Sequence, residues 1–218
     1  MSPFPLAPAS QGLLVVDMQN DFVREGAPQE VPDARAVLPT IRELIEAFRS
    51  AHRPIFYTRF LAGPKRTLMW LWSPECGDEV RSCWPGHFRR YRDRPDALEG
   101  PGIVDELTAE RGDVVIDKYG YGGFHNTVLE DALRAKHVSQ VVTTGTVTQI
   151  CVEETVREGF HRSLEMVVVR DAVASFDPEL HEATLRNLAM KFGVVTSSGE
   201  VISSLRGAGR EVAVGKGP

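Results

Sequence analysis

The chain has 218 residues, 42% of them hydrophobic, enough to bury one full core in a single domain. Its formal charge is −5, with 25 basic and 30 acidic residues scattered along the length, so no basic stripe is offered to a phosphate backbone and nucleic-acid binding is not expected. Three cysteines are too few for a disulfide framework, and no apolar run approaches the ~20 residues that a membrane span needs. Met1-Ser2-Pro3-Phe4-Pro5 lacks the basic start and apolar stretch of a signal peptide, so a reducing, cytoplasmic setting is expected.

Residues 1–11 are rich in Pro and Ser and read as a flexible arm, with the domain proper over 12–206. Leu13-Leu14-Val15-Val16 is a continuous apolar run, the signature of a strand buried on both faces. It ends at Asp17, ahead of Met18-Gln19-Asn20-Asp21-Phe22. A carboxylate there lies where open α/β sheets hold ligands, although a turn or helix-capping aspartate fits the same position. From Asp33, a candidate N-cap, Val37, Leu38, Ile41, Leu44, Ile45 and Phe48 recur at helical spacing with charges on the other face. Pro54-Ile55-Phe56-Tyr57-Thr58 reads as the second strand.

Residues 60–100 break this rhythm. They hold all three tryptophans, Cys76, Cys83, His87 and the basic cluster Arg89, Arg90, Arg92 and Arg94. The stretch reads as an excursion over the strand ends, where α/β proteins keep their specificity loops. The Cys/His spacing matches no compact zinc pattern, and no metal or other cofactor is expected. The arginines fit a solvated face, a carboxylate-binding role or a subunit contact.

Alternation then resumes. Ile103–Leu107 reads as a short helix, and Val114-Val115-Ile116-Asp117 as a strand leading to Lys118 and the Gly-rich Tyr119–Phe124 turn. Lys118 occupies the same end as Asp17, although an ordinary surface lysine fits too. Thr127–Lys136 is helical, capped by Asn126 or Thr127. Strand Val141–Thr144 turns at Gly145 into a helix with Cys151 near its first turn, where unpaired N–H groups and the helix dipole lower a thiol pKa. A buried structural cysteine is the bland alternative. Met166–Val169 is the next strand, and Asp177-Pro178 opens a helix with Leu180, Leu185, Leu188 and Ala189 turned to the sheet. Val194-Val195 is a last strand and Gly199–Leu205 a last helix, with 207–218 a flexible tail. Six strands alternating with helices predict a three-layer α/β/α domain around a mainly parallel sheet.

Asp17, Lys118 and Cys151 each follow an apolar strand, and the carboxyl ends of parallel strands share one edge. The segments Asp17-Met18-Gln19-Asn20-Asp21-Phe22, Lys118 with Phe124, and Gly145–Val152 resemble the cysteine-hydrolase (isochorismatase-like) superfamily over roughly residues 12–205. The resemblance implies a Rossmann-type, six-stranded sheet and a catalytic triad of Asp17, Lys118 and Cys151. It implies that the Cys151 thiolate attacks an amide or ureido carbonyl, that Asp17 is the general base, and that Lys118 holds and orients the anionic pair. It further implies a cis peptide between Thr146 and Val147, aiming the N–H groups of Val147 and Cys151 at the tetrahedral oxygen. Phe22, Phe124 and Gln19 are substrate-binding candidates, with core or loop roles as the alternatives.

Within the superfamily, Cys151 argues against true isochorismatases, and Tyr57-Thr58-Arg59-Phe60 lacks the Asp-x-His that begins a nicotinamidase metal site. Gly123–Thr127 and Cys151–Phe160 resemble the branch of ureidoacrylate amidohydrolases and N-carbamoylsarcosine amidases. A small-molecule amide or ureido substrate, metal-independent chemistry and a homo-oligomer are the implied partners and state. The rival expectations are a nicotinamidase-like amidase and a non-catalytic, redox-sensing domain in which Cys151 is a sensor thiol.

Overall fold

The first apolar run forms a strand with every residue buried. In the computed structural model, which describes residues 3–214 and side chains as far as 207, the strands are β1 (Gln11–Val16), β2 (Ile55–Phe60), β3 (Phe88–Arg90), β4 (Ala97–Glu99), β5 (Val114–Lys118), β6 (Gln140–Thr146), β7 (Glu165–Ala174) and β8 (Val194–Thr196). The α-helices are α1 (Asn20–Val23), α2 (Ala34–Ser50), α3 (Met69–Trp72), α4 (Leu129–Ala135), α5 (Glu153–His161), α6 (Pro178–Lys191) and α7 (Ser198–Val214). Six strands form one sheet in the order β5-β2-β1-β6-β7-β8, and every neighbouring pair is parallel. The chain builds outward from β1 to β5, then returns to β6 and builds the other way. The order therefore reverses between β1 and β6, and the crevice at their carboxyl ends is where such sheets bind ligands.

Side chains alternate across β1 and feed two cores. Leu13 and Val15 pack with Ile41, Leu44 and Phe48 of α2; Leu14 and Val16 pack with Leu133 of α4, Val156 of α5 and Leu185 of α6. Helix α2 tolerates Pro39 in its interior. A mid-helix proline costs about 3 kcal/mol, whereas each fully buried aliphatic or aromatic side chain contributes about 1.5–3 kcal/mol. The four buried side chains Ile41, Leu44, Ile45 and Phe48 outweigh it. Across the described residues, no helix is long and apolar enough to cross a membrane.

Local details depart from expectation. Asp33 stands at the α2 N-cap but its backbone is already helical and its side chain makes no capping bond, whereas Asp177 accepts from the Leu180 N–H at 3.0 Å as expected. The buried stripe of α6 is Thr184, Leu185 and Leu188, while Leu180 and Ala189 are exposed. They lie about a quarter turn to either side of that stripe. Ile103–Leu107 supplies only a 3-10 turn, Asp105–Leu107.

The described part of the expected arm is fastened: Gln140 bridges it, donating to the Pro5 carbonyl at 3.0 Å and accepting from the Ala7 N–H at 2.9 Å. Helix α7 carries the backbone through to Val214, into the segment expected to be a tail; residues 215–218, like 1–2, lie outside the described residues.

The 60–100 excursion folds into α3, a 3-10 turn (Pro74–Cys76) and the β3–β4 hairpin. The indoles of Trp70 and Trp84 pack 5.8 Å apart and donate to the carbonyls of Ala62 and Cys76.

Candidate active site

Asp17 follows β1 directly and takes a left-handed backbone, φ 49°. Its N–H donates to the Thr58 carbonyl at 3.2 Å, which ties it to the end of β2. Lys118 is the last residue of β5, two strands from β1. Gly145 lets β6 crowd against β1. Its φ is 108°, and a Cβ there would lie 2.1 Å from the Val16 carbonyl oxygen, so only glycine permits this approach. Past Gly145 the chain enters an irregular wide turn, Thr148–Val152, which carries Cys151 into α5. Thr155 Oγ1 donates to the Cys151 carbonyl at 2.6 Å and helps fix that turn.

These three positions meet. Lys118 Nζ lies 2.8 Å from Asp17 Oδ2, and both side chains are fully buried, which removes the surface-lysine alternative. Thr58 Oγ1 donates to Asp17 Oδ1 at 2.7 Å. The ammonium also donates to the carbonyls of Gly120 and Tyr121, each at 2.9 Å, and sits 5.3 Å from the Phe60 ring centroid. Asp17 and Lys118 both act electrostatically on the Cys151 thiol.

The electrostatics correct one expectation. Burial pushes the Cys151 thiol pKa up to about 12; Lys118 pulls it down, and Asp17 adds to the rise. The lowering expected from the helix start does not prevail, because excluding water from a thiolate outweighs the nearby positive charge. Burial thus favours the neutral thiol of Cys151 over the thiolate. Burial works against the Lys118 ammonium, but Asp17 and then Cys151 outweigh it, so its pKa is raised.

The Thr146–Val147 peptide is cis. Val147, Ile150 and Cys151 line a cavity of about 510 Å³. Phe22 and Phe60, tilted with centroids 6.3 Å apart, form one wall. Met69, Trp72 and Ser73 come from the excursion, and Tyr121 and Phe176 from the turns after β5 and β7. A separate cavity of about 730 Å³, lined by Ala9 and Ser50–Arg53, sits at the amino ends of the strands, remote from Cys151.

Among the substrate-binding candidates, only Phe22 lines the cavity. Gln19 is fully buried and its amide is engaged, donating to the carbonyls of Phe60 (2.9 Å) and Pro101 (3.2 Å) and accepting from the Phe60 N–H (2.6 Å). It is a clamp between β2 and the excursion rather than a substrate contact. Phe124 lies in the core beneath Cys151, with Leu129 and Val156, and does not line the cavity.

Arg89 is only partly exposed and does not line the cavity: its Nε pairs with Asp21 at 2.9 Å. Arg90 donates to the Pro95 carbonyl across the hairpin turn. Cys76 and Cys83 are free buried thiols, raised by desolvation. Among the described residues no group of three His, Cys, Asp or Glu side chains is placed to hold a metal ion.

Asp21 was not singled out in the sequence, yet it anchors the excursion. Fully buried, it pairs with Arg89 and accepts from Tyr91 Oη at 2.7 Å and from the Cys83 N–H at 2.7 Å. Its place in the Asp17–Phe22 motif was the available signal. The cavity residues Trp72, Tyr121 and Phe176 carried none, because loop side chains facing a cleft follow no periodicity.

The Isochorismatase domain model matches residues 11–200. The chain is 35% identical to the ureidoacrylate amidohydrolase of Methylobacterium radiotolerans, covering 93% of this chain and 82% of that protein. Among solved structures it resembles a cysteine hydrolase from Pseudomonas syringae pv. phaseolicola, with a TM-score of 0.82 and 28% identity over 95% of this chain and 97% of that one. It also resembles the N-carbamoylsarcosine amidase of Thermoplasma acidophilum, with a TM-score of 0.71 and 28% identity over 87% and 96%. A match of this extent, joined to the doubly wound sheet and its carboxyl-edge cleft, makes the chain a member of the isochorismatase domain family and a hydrolase of the cysteine-hydrolase type.

Proposed function

We propose that the protein cleaves the C–N bond of a small amide, carbamoyl or ureido compound through a covalent thioester on Cys151. The observation that carries this reading is the buried Lys118–Asp17 pair, which acts electrostatically on Cys151, a residue lining a cavity. A thiolate disfavoured by burial needs a base at the moment of attack, and Asp17 is assigned that role. The sulfur then bonds to the carbonyl carbon, and the oxygen takes up the electron pair. The N–H groups of Val147 and Cys151 are the proposed donors to that oxygen.

Collapse of the tetrahedral species expels the amine or ammonia, which takes the proton from Asp17. Water then adds to the thioester, Asp17 removes its proton, and the acid departs as the Cys151 thiol re-forms. Lys118 holds Asp17 in position through both halves. The similar amidohydrolase and amidase support C–N hydrolysis as the reaction class. A homo-oligomer is part of the proposal, to be measured by light scattering.

The test is ammonia release from ureidoacrylate, N-carbamoyl amino acids, biuret, nicotinamide and simple amides. Wild type and Cys151→Ala are compared, with and without chelator. Turnover that depends on Cys151 and ignores chelator is expected. Alkylation of Cys151 with no turnover to lose across a broad amide panel would favour the sensor thiol instead.

A further inference from the structure

Resting on the hydrolase reading, we infer that the substrate group filling the cavity is uncharged and apolar, and that the site discriminates against a substrate carboxylate. The walls are Phe22, Phe60, Met69, Trp72, Ile150 and Phe176. Gln29, Ser73 and Tyr121 add neutral hydrogen-bonding groups. The only charged side chains lining the cavity among the described residues are Glu30 and Glu75, both acidic. No lysine, arginine or histidine joins them.

Three cations on neighbouring segments are engaged elsewhere. Arg35 pairs with Glu30 at 2.8 Å and donates to the Val23 carbonyl. Lys118 divides its three N–H donors among Asp17, Gly120 and Tyr121. Arg89, the member of the basic cluster nearest in sequence to the cavity-lining turn, binds Asp21 and the carbonyls of Val80 and Arg81. A carboxylate entering the cavity would lose its hydration, find no cation among the described lining side chains, and face Glu75 beside the Arg35-paired Glu30. A phenyl or alkyl amide loses nothing comparable and gains the aromatic walls. In substrate charge this separates the chain from an enzyme that takes a ureido acid.

Iodoacetamide and iodoacetate test this directly, since they deliver the same carbon to Cys151 and differ in charge. Labelling at Cys151 is followed by mass spectrometry, and each rate is divided by that reagent's rate with free cysteine. The normalised preference for iodoacetamide is expected to reach about tenfold or more. Glu30→Gln and Glu75→Gln should each narrow it, Glu30→Gln also by leaving Arg35 uncompensated. A ratio equal to that of free cysteine overturns the inference.

Steady-state hydrolysis of paired neutral amides and ureido acids keeps the two readings apart. Cys151-dependent turnover that favours the acids overturns the charge selection and leaves the hydrolase reading intact. Charge-selective labelling with no amide turned over leaves the selection standing and sinks the hydrolase reading.

Discussion

Lys118 Nζ and Asp17 Oδ2 are 2.8 Å apart with no solvent exposure on either side chain. A pair so dry is held by mutual compensation: each charge is tolerable because the other is present, and the remaining polar atoms find Thr58 and two carbonyls. In the proposed reaction this pair, which acts electrostatically on Cys151, is the means of moving a proton.

Removing one partner should therefore be worse than removing both. Lys118→Met leaves Asp17 buried and unpaired and is expected to cost about 3–5 kcal/mol of stability. The double variant Asp17→Asn/Lys118→Met should recover most of that loss while remaining inactive. Denaturant midpoints of the two single variants and the double variant measure the coupling, and additive losses would contradict it.

The thiol should respond to the same pair. Asp17 raises the Cys151 pKa and Lys118 lowers it. Asp17→Asn should accordingly shift iodoacetamide labelling of Cys151 to lower pH and Lys118→Met to higher pH. Both variants should be poor hydrolases, Asp17→Asn by at least ~100-fold through loss of the base. A labelling profile unmoved by either change would show that the three groups are not electrostatically coupled.

Stability should fall in alkali. Cys76, Cys83 and Cys151 all have thiol pKa values raised by burial, those of Cys76 and Cys151 to about 12. Lys118 is raised as well. Between the unfolded thiol pKa near ~8.5 and the folded values, the native state binds more protons than the unfolded one, so the unfolding free energy decreases as pH rises. The contribution is complete below ~8.5 and is lost progressively toward the folded pKa values. Urea midpoints at pH 8 and pH 10 check this, with the lower midpoint expected at pH 10.

Asp21 should control the excursion rather than the chemistry. Asp21→Ala strands Arg89, the Tyr91 hydroxyl and the Cys83 N–H without their shared acceptor, and is expected to destabilise by about 3–5 kcal/mol. Because Met69 and Trp72 wall the cavity from this excursion, KM should rise more than kcat falls. Faster proteolysis within residues 60–100 is the physical readout. Tyr91→Phe, which removes one donor and keeps the ring, should show a milder form of both effects.

Gly145→Ala should damage the site through the backbone. At φ 108°, with Val16 in the way, any side chain forces β6 from β1, for a loss of more than about 1 kcal/mol. A thermal midpoint unchanged from wild type would show that the two strand ends have room to part.

Much of this protein follows from its sequence by itself. Apolar runs alternating with amphipathic stretches specify a parallel sheet between helices, because strands buried on both faces and one-sided helices can satisfy their burial in few other ways. Asp17, Lys118 and Cys151, each just past or at the end of such a run, are thereby assigned to one edge. What local pattern cannot express was decided by tertiary structure. Whether Lys118 faces water or Asp17 depends on strand order across two neighbours, and the Cys151 pKa depends on how completely the assembled cleft excludes water. Gln19 and Phe22 sit three residues apart in one motif, yet the first clamps a strand and the second walls the cavity. In the excursion, where no periodicity constrains the chain, Arg89 reads first as a solvated charge, with a carboxylate-binding or subunit-contact role as the lesser alternative. The burial of Asp21 beside it draws the partly exposed guanidinium inward, since a desolvated carboxylate requires its cation wherever the fold brings the two together.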